Sequence, residues 1–107
     1  MGLFSKKNNL DFDPKDKTVL VVDDESDIRA IVEGLLKQHG YEVIQAKDGA
    51  EAVMLLRRKK DKIDLMVLDI MMPKMDGYQV MEQVKNISPD LPVVMLTAKT
   101  TRQDVWK

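Results

Sequence analysis

The feature that most constrains the fold is an apolar run that ends in an acid and is followed by turn residues. Leu, Met, Val and Leu fill positions 65–68 without interruption, which is typical of a strand buried on both faces of a parallel sheet. Asp69 closes this run, and Pro73 and Gly77 then enforce a turn. Because ligands of open α/β sheets bind outside the carboxyl ends of the strands, Asp69 is a candidate site residue.

Other segments of the chain predict the rest of a sheet with crossover helices. Residues 18–22 form a second buried-strand run, and Asp23 and Asp24 follow it directly. The remaining elements are predicted as strands at residues 41–46 and 92–97, helices at about residues 50–59 and 77–86, and a further helix that begins at residue 101. Since parallel crossovers are right-handed, this alternation predicts a doubly wound α/β sheet.

The helix between the first two strands is predicted from apolar residues at helical spacing. These residues are Ile28, Ile31, Val32, Leu35 and Leu36, which would form one buried face. Either Asp24 or Ser26 is a candidate cap for its start, and Gly40 is expected to end it.

Composition places the chain among soluble globular domains. Its 107 residues allow one domain, 44% of them are hydrophobic, and the net charge is −1, so neither nucleic acid nor an anionic membrane is an expected partner. No apolar run approaches the roughly 18 residues of a membrane span, and we expect a cytoplasmic protein. We expect residues 1–16 to be a flexible leader and residues 17–107 to form the domain.

Two features of the sequence could be interpreted as functional sites, but we favour a structural explanation for each. The basic run at residues 57–60 is best explained as the solvated end of a helix, where cations favour the helix dipole; a nucleic-acid patch is the alternative. His39, the single histidine, lies at a predicted helix end far from the acids, which excludes a Ser-His-Asp triad. The absence of cysteine excludes disulfides and thiolate metal sites.

Polar residues at the strand ends predict a metal-dependent phosphoryl site. Four polar residues lie at the carboxyl ends of three predicted strands, which meet at one edge of the sheet: Asp23, Asp24, Asp69 and Thr97. Carboxylates within about 5 Å of one another repel unless a cation compensates, and oxygen ligands favour Mg²⁺. With that cation present, a carboxylate can itself attack a phosphoryl donor.

Three motifs carry a resemblance to a known family. Val-Asp-Asp-Glu at 22–25, Leu-Asp-Ile-Met-Met-Pro-Lys-Met-Asp-Gly at 68–77 and Leu-Thr-Ala at 96–98 resemble the receiver domain of bacterial two-component response regulators. The resemblance covers about residues 17–107. It implies a flavodoxin-like fold with strand order 2-1-3-4. Compared with the family, this sequence lacks the fifth strand, the lysine at the end of that strand, and the last helix. We therefore expect this chain to be a piece of a longer response regulator.

The resemblance also implies roles for individual residues. Asp69 would be the phosphoacceptor. Asp24 would bind Mg²⁺ directly and Asp23 through water, with Asp69 and the backbone carbonyl of Met71 as further ligands.

A second group of roles concerns the switch. Thr97 would be the switch hydroxyl that follows the phosphoryl group, and the Ala98 amide would contact that group. Met71 and Lys99 occupy positions that tune dephosphorylation in this family.

The resemblance implies a signalling module and not an enzyme, with a histidine kinase or phosphotransfer protein as partner. One alternative is a Mg²⁺-dependent phosphatase, but its general acid would stand at position 71, where the chain has Met71. Another is an interaction fragment that has lost phosphotransfer. Without a fifth strand, residues 92–97 would be an apolar sheet edge, which predicts a homodimer or an exchange of elements through the fourth strand.

Overall fold

The chain folds as a parallel sheet with helices on both faces. The computed structural model describes residues 15–70 and 77–96. Its elements are β1 (Thr18–Val22), α1 (Ser26–Gln38), β2 (Glu42–Ala46), α2 (Gly49–Lys59), β3 (Leu65–Asp69), α3 (Gly77–Ile87) and β4 (Val93–Leu96). All neighbouring strands are parallel and the order is β2-β1-β3-β4, which confirms the predicted fold class.

Alternate residues of the central strands pack against opposite layers of helices. Leu20 and Val22 of β1 join the larger core with α2 and α3, whereas Val19 and Val21 join the smaller core with α1. The larger core consists of Leu20, Val22, Ala46, Ala52, Leu56, Ile63, Met66, Leu68, Val80 and Val84. This alternation explains the uninterrupted apolar runs, because both faces of β1 and β3 are buried.

The apolar face of α1 is narrower than its spacing predicts. Leu36 is buried and Val32 packs beside it, but Ile31 and Leu35 are 59% and 55% exposed. Each of these two residues precedes a sheet-facing residue and is therefore rotated by about 100° around the helix. The prediction of one buried face holds for the Val32 and Leu36 stripe and is wrong for its flank.

The start of α1 differs from both predicted caps. Its N-cap is Glu25, whose side chain makes no capping hydrogen bond; the Glu25 N–H instead donates to Asp23 Oδ1 at 2.9 Å. The chain turns into the helix at residues 23–25, so neither Asp24 nor Ser26 occupies the N-cap position.

Gly40 ends α1 as predicted. It has a positive φ of 96°, a conformation that glycine adopts without steric cost. Its N–H donates to the Lys37 carbonyl at 3.0 Å, and the Tyr41 N–H donates to the Leu36 carbonyl at 3.1 Å. This is the Schellman arrangement, and Tyr41 and Leu36 pack in the same core, as that arrangement favours.

Helix α2 begins at a capping aspartate and ends in exposed cations. The Asp48 side chain accepts the Glu51 N–H at 2.8 Å, and Glu51 in turn accepts the Lys47 N–H at 2.8 Å. The side chains of residues 57–60 are all exposed, as expected of a solvated helix end. Among the residues that the structure describes, no helix is long and apolar enough to cross a membrane.

Candidate acidic site at the carboxyl end of the sheet

Two acids lie side by side at the carboxyl ends of the central strands β1 and β3. Val22 of β1 lies opposite Leu68 of β3 in the parallel register, so the residues that follow, Asp23 and Asp69, lie at the same edge. Both are almost fully buried, with 2% and 1% of their surface exposed. Burial of two neighbouring acids is unfavourable unless their charge is compensated, which marks this edge as a candidate site.

A third acid completes the cluster. Asp24, which is half-buried, offers a carboxylate oxygen that lies together with one from Asp23 and one from Asp69, all within 4.8 Å of one another. Oxygen ligands at this spacing suit a hard cation such as Mg²⁺, which usually takes one or two carboxylates and keeps several waters. The donor set therefore fits the predicted metal.

The backbone of Asp23 is held from both sides. Its N–H donates to the Ala46 carbonyl at 3.2 Å, which extends the pairing with β2 by one residue. Its carbonyl accepts a hydrogen bond from Arg29 Nη1 at 2.7 Å, while its Oδ1 accepts from Glu25. Arg29 is not predictable as part of this site, because nothing in its residue type or its position in the sequence indicates a contact with Asp23.

The end of β3 is fixed by a close approach of the chain to itself. The Ile70 N–H donates to the Leu96 carbonyl at 3.2 Å, and the Gly77 N–H donates to the Ile70 carbonyl at 2.8 Å. A Cβ on Gly77 would lie 2.6 Å from the Ile70 Cα and 3.0 Å from the Asp69 carbonyl oxygen. Only glycine fits here without displacing the backbone that follows Asp69. The turn was predicted, but this close contact was not.

The structure brings together three of the predicted site residues. Asp23, Asp24 and Asp69 form the cluster described above. Met71, Thr97 and Ala98 lie outside the described residues, as do Lys99, the start of a further helix at 101 and most of the predicted leader.

The strand order and the acid cluster define a CheY-like member of the flavodoxin-like α/β class. The model for the response regulator receiver domain matches residues 19–107. The chain belongs to this family, which serves two-component systems.

Individual relatives agree with this assignment. The chain is 47% identical over 90 residues to "Probable transcriptional regulator ycf27" of Guillardia theta, covering 84% of this chain and 34% of that protein. It is 44% identical over 88 residues to the alkaline phosphatase synthesis transcriptional regulatory protein PhoP of Bacillus subtilis, covering 82% of this chain and 36% of that protein. The chain thus spans about a third of the length of these curated relatives.

A solved structure matches the fold. It is the CheX-CheY-BeF₃-Mg²⁺ complex from Borrelia burgdorferi, with a TM-score of 0.75 and 32% identity, covering 84% of this chain and 68% of that chain. Receiver domains bind Mg²⁺ at their acidic pocket and interact with histidine kinases or phosphotransfer proteins. They are signalling proteins and not classical enzymes.

Proposed function

We propose that this chain accepts a phosphoryl group on the carboxylate of Asp69 from a histidine kinase or phosphotransfer protein. The observation that carries the proposal is the convergence of Asp23, Asp24 and Asp69 within 4.8 Å at the carboxyl end of the sheet. An Asp69 oxygen would form the new bond to phosphorus as the bond from phosphorus to the donor's imidazole nitrogen breaks. The departing imidazole then takes up a proton.

Asp69 is the acid best placed to act as nucleophile. It ends β3, which lies between β1 and β4 in the sheet, and it holds the position in the Leu-Asp-Ile-Met-Met-Pro motif that the resemblance gives to the phosphoacceptor. Asp24 is more exposed than Asp23 or Asp69, as suits a metal ligand that keeps water. Asp23, Asp24 and Asp69 would hold Mg²⁺, which neutralises charge on the phosphoryl group when bound.

The remaining roles follow the resemblance. We propose that the Met71 backbone carbonyl adds a metal ligand, that Thr97 is the switch hydroxyl and that the Ala98 amide contacts the phosphoryl group. Met71 also bears on the alternative of a phosphatase, because a methionine cannot protonate a leaving group. This favours storage of the phosphoryl group over its rapid turnover.

The proposal is tested by phosphorylation with acetyl phosphate, followed by intact mass spectrometry. The chain should gain one phosphoryl group in Mg²⁺ and none in excess EDTA. Asp69→Asn should abolish the gain, since an amide is a poor nucleophile for phosphorus. Asp64→Asn is the matched control, because Asp64 directly precedes the same strand and lies outside the cluster. Equal labelling of Asp69→Asn and the native chain would contradict the assignment.

We also propose that β4 pairs with a second copy of the chain. β4 is an edge strand within the described sheet, and Val93, Val94, Met95 and Leu96 carry no charge that would oppose pairing. Light scattering at micromolar concentration should therefore report a dimer or a larger species. A single monomeric species would contradict this proposal and leave the phosphoacceptor assignment unaffected.

A further inference from the structure

A row of polar side chains on α1 connects the helix to β2. Arg29, Glu33 and Lys37 are spaced four residues apart and therefore share one helix face. Arg29 Nε donates to Gln45 Oε1 of β2 at 2.8 Å, and Gln45 Nε2 makes a short hydrogen bond to Glu33 Oε1. Lys37 Nζ lies 2.9 Å from Glu33 Oε2 and completes the row.

The row fixes the guanidinium of Arg29 in one orientation. Nε is committed to Gln45, so Nη1 of the same planar group is aimed at the Asp23 carbonyl, 2.7 Å away. Hydrogen bonds from Lys37 and then Gln45 lower the pKa of Glu33, whose carboxylate is therefore an ionised acceptor that holds Gln45 in turn. The side chains of Gln45, Glu33 and Lys37 thus hold Arg29 in the orientation in which it donates to the Asp23 carbonyl.

This hydrogen bond completes the restraint on Asp23. The Asp23 N–H is held by Ala46, its Oδ1 by the Glu25 N–H and its carbonyl by Arg29. Two of these partners are backbone groups that the sheet and the start of α1 supply. The third is the side chain of Arg29, which is therefore the partner that a single substitution can remove.

We propose that Arg29 is a positioning residue for the metal site, which sets the geometry of Asp23 and Asp24 through the Asp23 carbonyl. This inference rests on the proposed Mg²⁺ site. Residues that orient metal ligands from outside the coordination shell commonly change metal affinity by about 10-fold to 100-fold when removed. Arg29 is a residue of this kind, although its hydrogen bond is to the backbone carbonyl of Asp23 and not to its carboxylate.

The sign of the effect separates this role from a simple charge effect. A guanidinium near the pocket repels a second cation, so its removal would tighten Mg²⁺ binding if charge alone mattered. If Arg29 positions the acids, its removal weakens binding because the folded state no longer holds the ligands in place. The two accounts therefore predict opposite changes in Kd.

The test is the Mg²⁺ Kd, measured by titration of backbone amide chemical shifts. We expect Arg29→Gln to weaken binding about 10-fold. Arg29→Lys should also weaken it, because one ammonium cannot reproduce the planar contact with both Gln45 and Asp23. Lys47→Gln is the matched control: it removes an exposed cation that directly follows β2 and lies outside the row, and should stay within about twofold of the native Kd.

A second variant keeps the test decisive if the Arg29 variants do not fold. Gln45→Met removes the hydrogen bond that orients Arg29 and leaves the guanidinium in place, so it should weaken Mg²⁺ binding about threefold, less than the roughly 10-fold to 100-fold loss that follows removal of a direct partner. Thermal unfolding in EDTA establishes that each variant is folded. Native-like or tighter binding in Arg29→Gln, full affinity in Arg29→Lys, or unchanged binding in Gln45→Met would overturn the inference. Absence of Mg²⁺ binding by the native chain would instead overturn the metal site, and the inference with it.

Discussion

Two aspartates lie at opposite ends of β3 and have different surroundings. Asp64 precedes the strand and exchanges two hydrogen bonds with Thr18: its Oδ2 accepts the Thr18 N–H at 2.8 Å, and its own N–H donates to the Thr18 carbonyl at 2.8 Å. Asp69 ends the strand and lies among the carboxylates of Asp23 and Asp24. The same residue type is thus a backbone acceptor at one end and part of an acid cluster at the other.

This difference distinguishes a structural acid from a functional one. A carboxylate that accepts a backbone N–H stabilises the fold, because that donor would otherwise be left without a partner at the sheet end. Three carboxylates in one place oppose folding through repulsion, so their presence indicates a function that requires them.

Substitution of Gly77 by alanine should cause the largest loss of stability at the carboxyl end. The new Cβ would lie 2.6 Å from the Ile70 Cα, a backbone atom that cannot rotate away. We expect the free energy of unfolding to fall by about 3 kcal/mol, as for severe overpacking. Denaturant titration measures this change.

Gly34→Ala is the matched control for that variant. Gly34 lies within α1, and a Cβ there would meet nothing within 4 Å. The substitution should raise the free energy of unfolding by about 0.5 to 1 kcal/mol, because alanine is the better helix former. Equal effects at the two glycines would contradict the close contact at Gly77.

Asp64→Ala should lower the free energy of unfolding by about 2 kcal/mol, since the Thr18 N–H loses its charged acceptor. The Mg²⁺ Kd should not change, because Asp64 lies at the other end of the strand from the cluster. Denaturant titrations in EDTA and in Mg²⁺ separate the two quantities. If Asp64→Ala changed the Mg²⁺ Kd as much as Asp24→Ala does, the proposed difference between the two ends of β3 would be wrong.

Mg²⁺ should stabilise the native chain by about 1.4 kcal/mol at ten times its Kd, because it binds the folded state alone. The gain follows from bringing together three carboxylates that are far apart in the unfolded chain. Asp24→Ala should abolish the gain, whereas Asp64→Ala should retain it. Thermal unfolding with and without Mg²⁺ measures the effect, and a melting temperature indifferent to Mg²⁺ would count against the site.

The sequence predicts those features that depend on local pattern. Uninterrupted apolar runs locate β1 and β3, and the acids that end these runs locate the site, because parallel strands share one carboxyl edge. Gly40 is likewise predictable, since a helix end in this conformation favours glycine.

Other features depend on distances between elements and cannot be predicted from local pattern. Helical spacing does not reveal that Val32 and Leu36 of α1 pack in the core whereas Leu35 is exposed. The contact between Arg29 and Asp23, and the approach of Gly77 to the end of β3, require the positions of two segments at once. These long-range contacts hold the acid cluster in place.

The most direct test of the central claim is to locate the phosphoryl group after reaction with acetyl phosphate in Mg²⁺. Borohydride reduction converts an aspartyl phosphate to homoserine, which peptide mass mapping assigns to one position. We predict homoserine at position 69 alone, in the native chain and in Asp64→Asn, and none in EDTA. Homoserine at position 23, 24 or 64, or its formation without a divalent cation, would contradict the account.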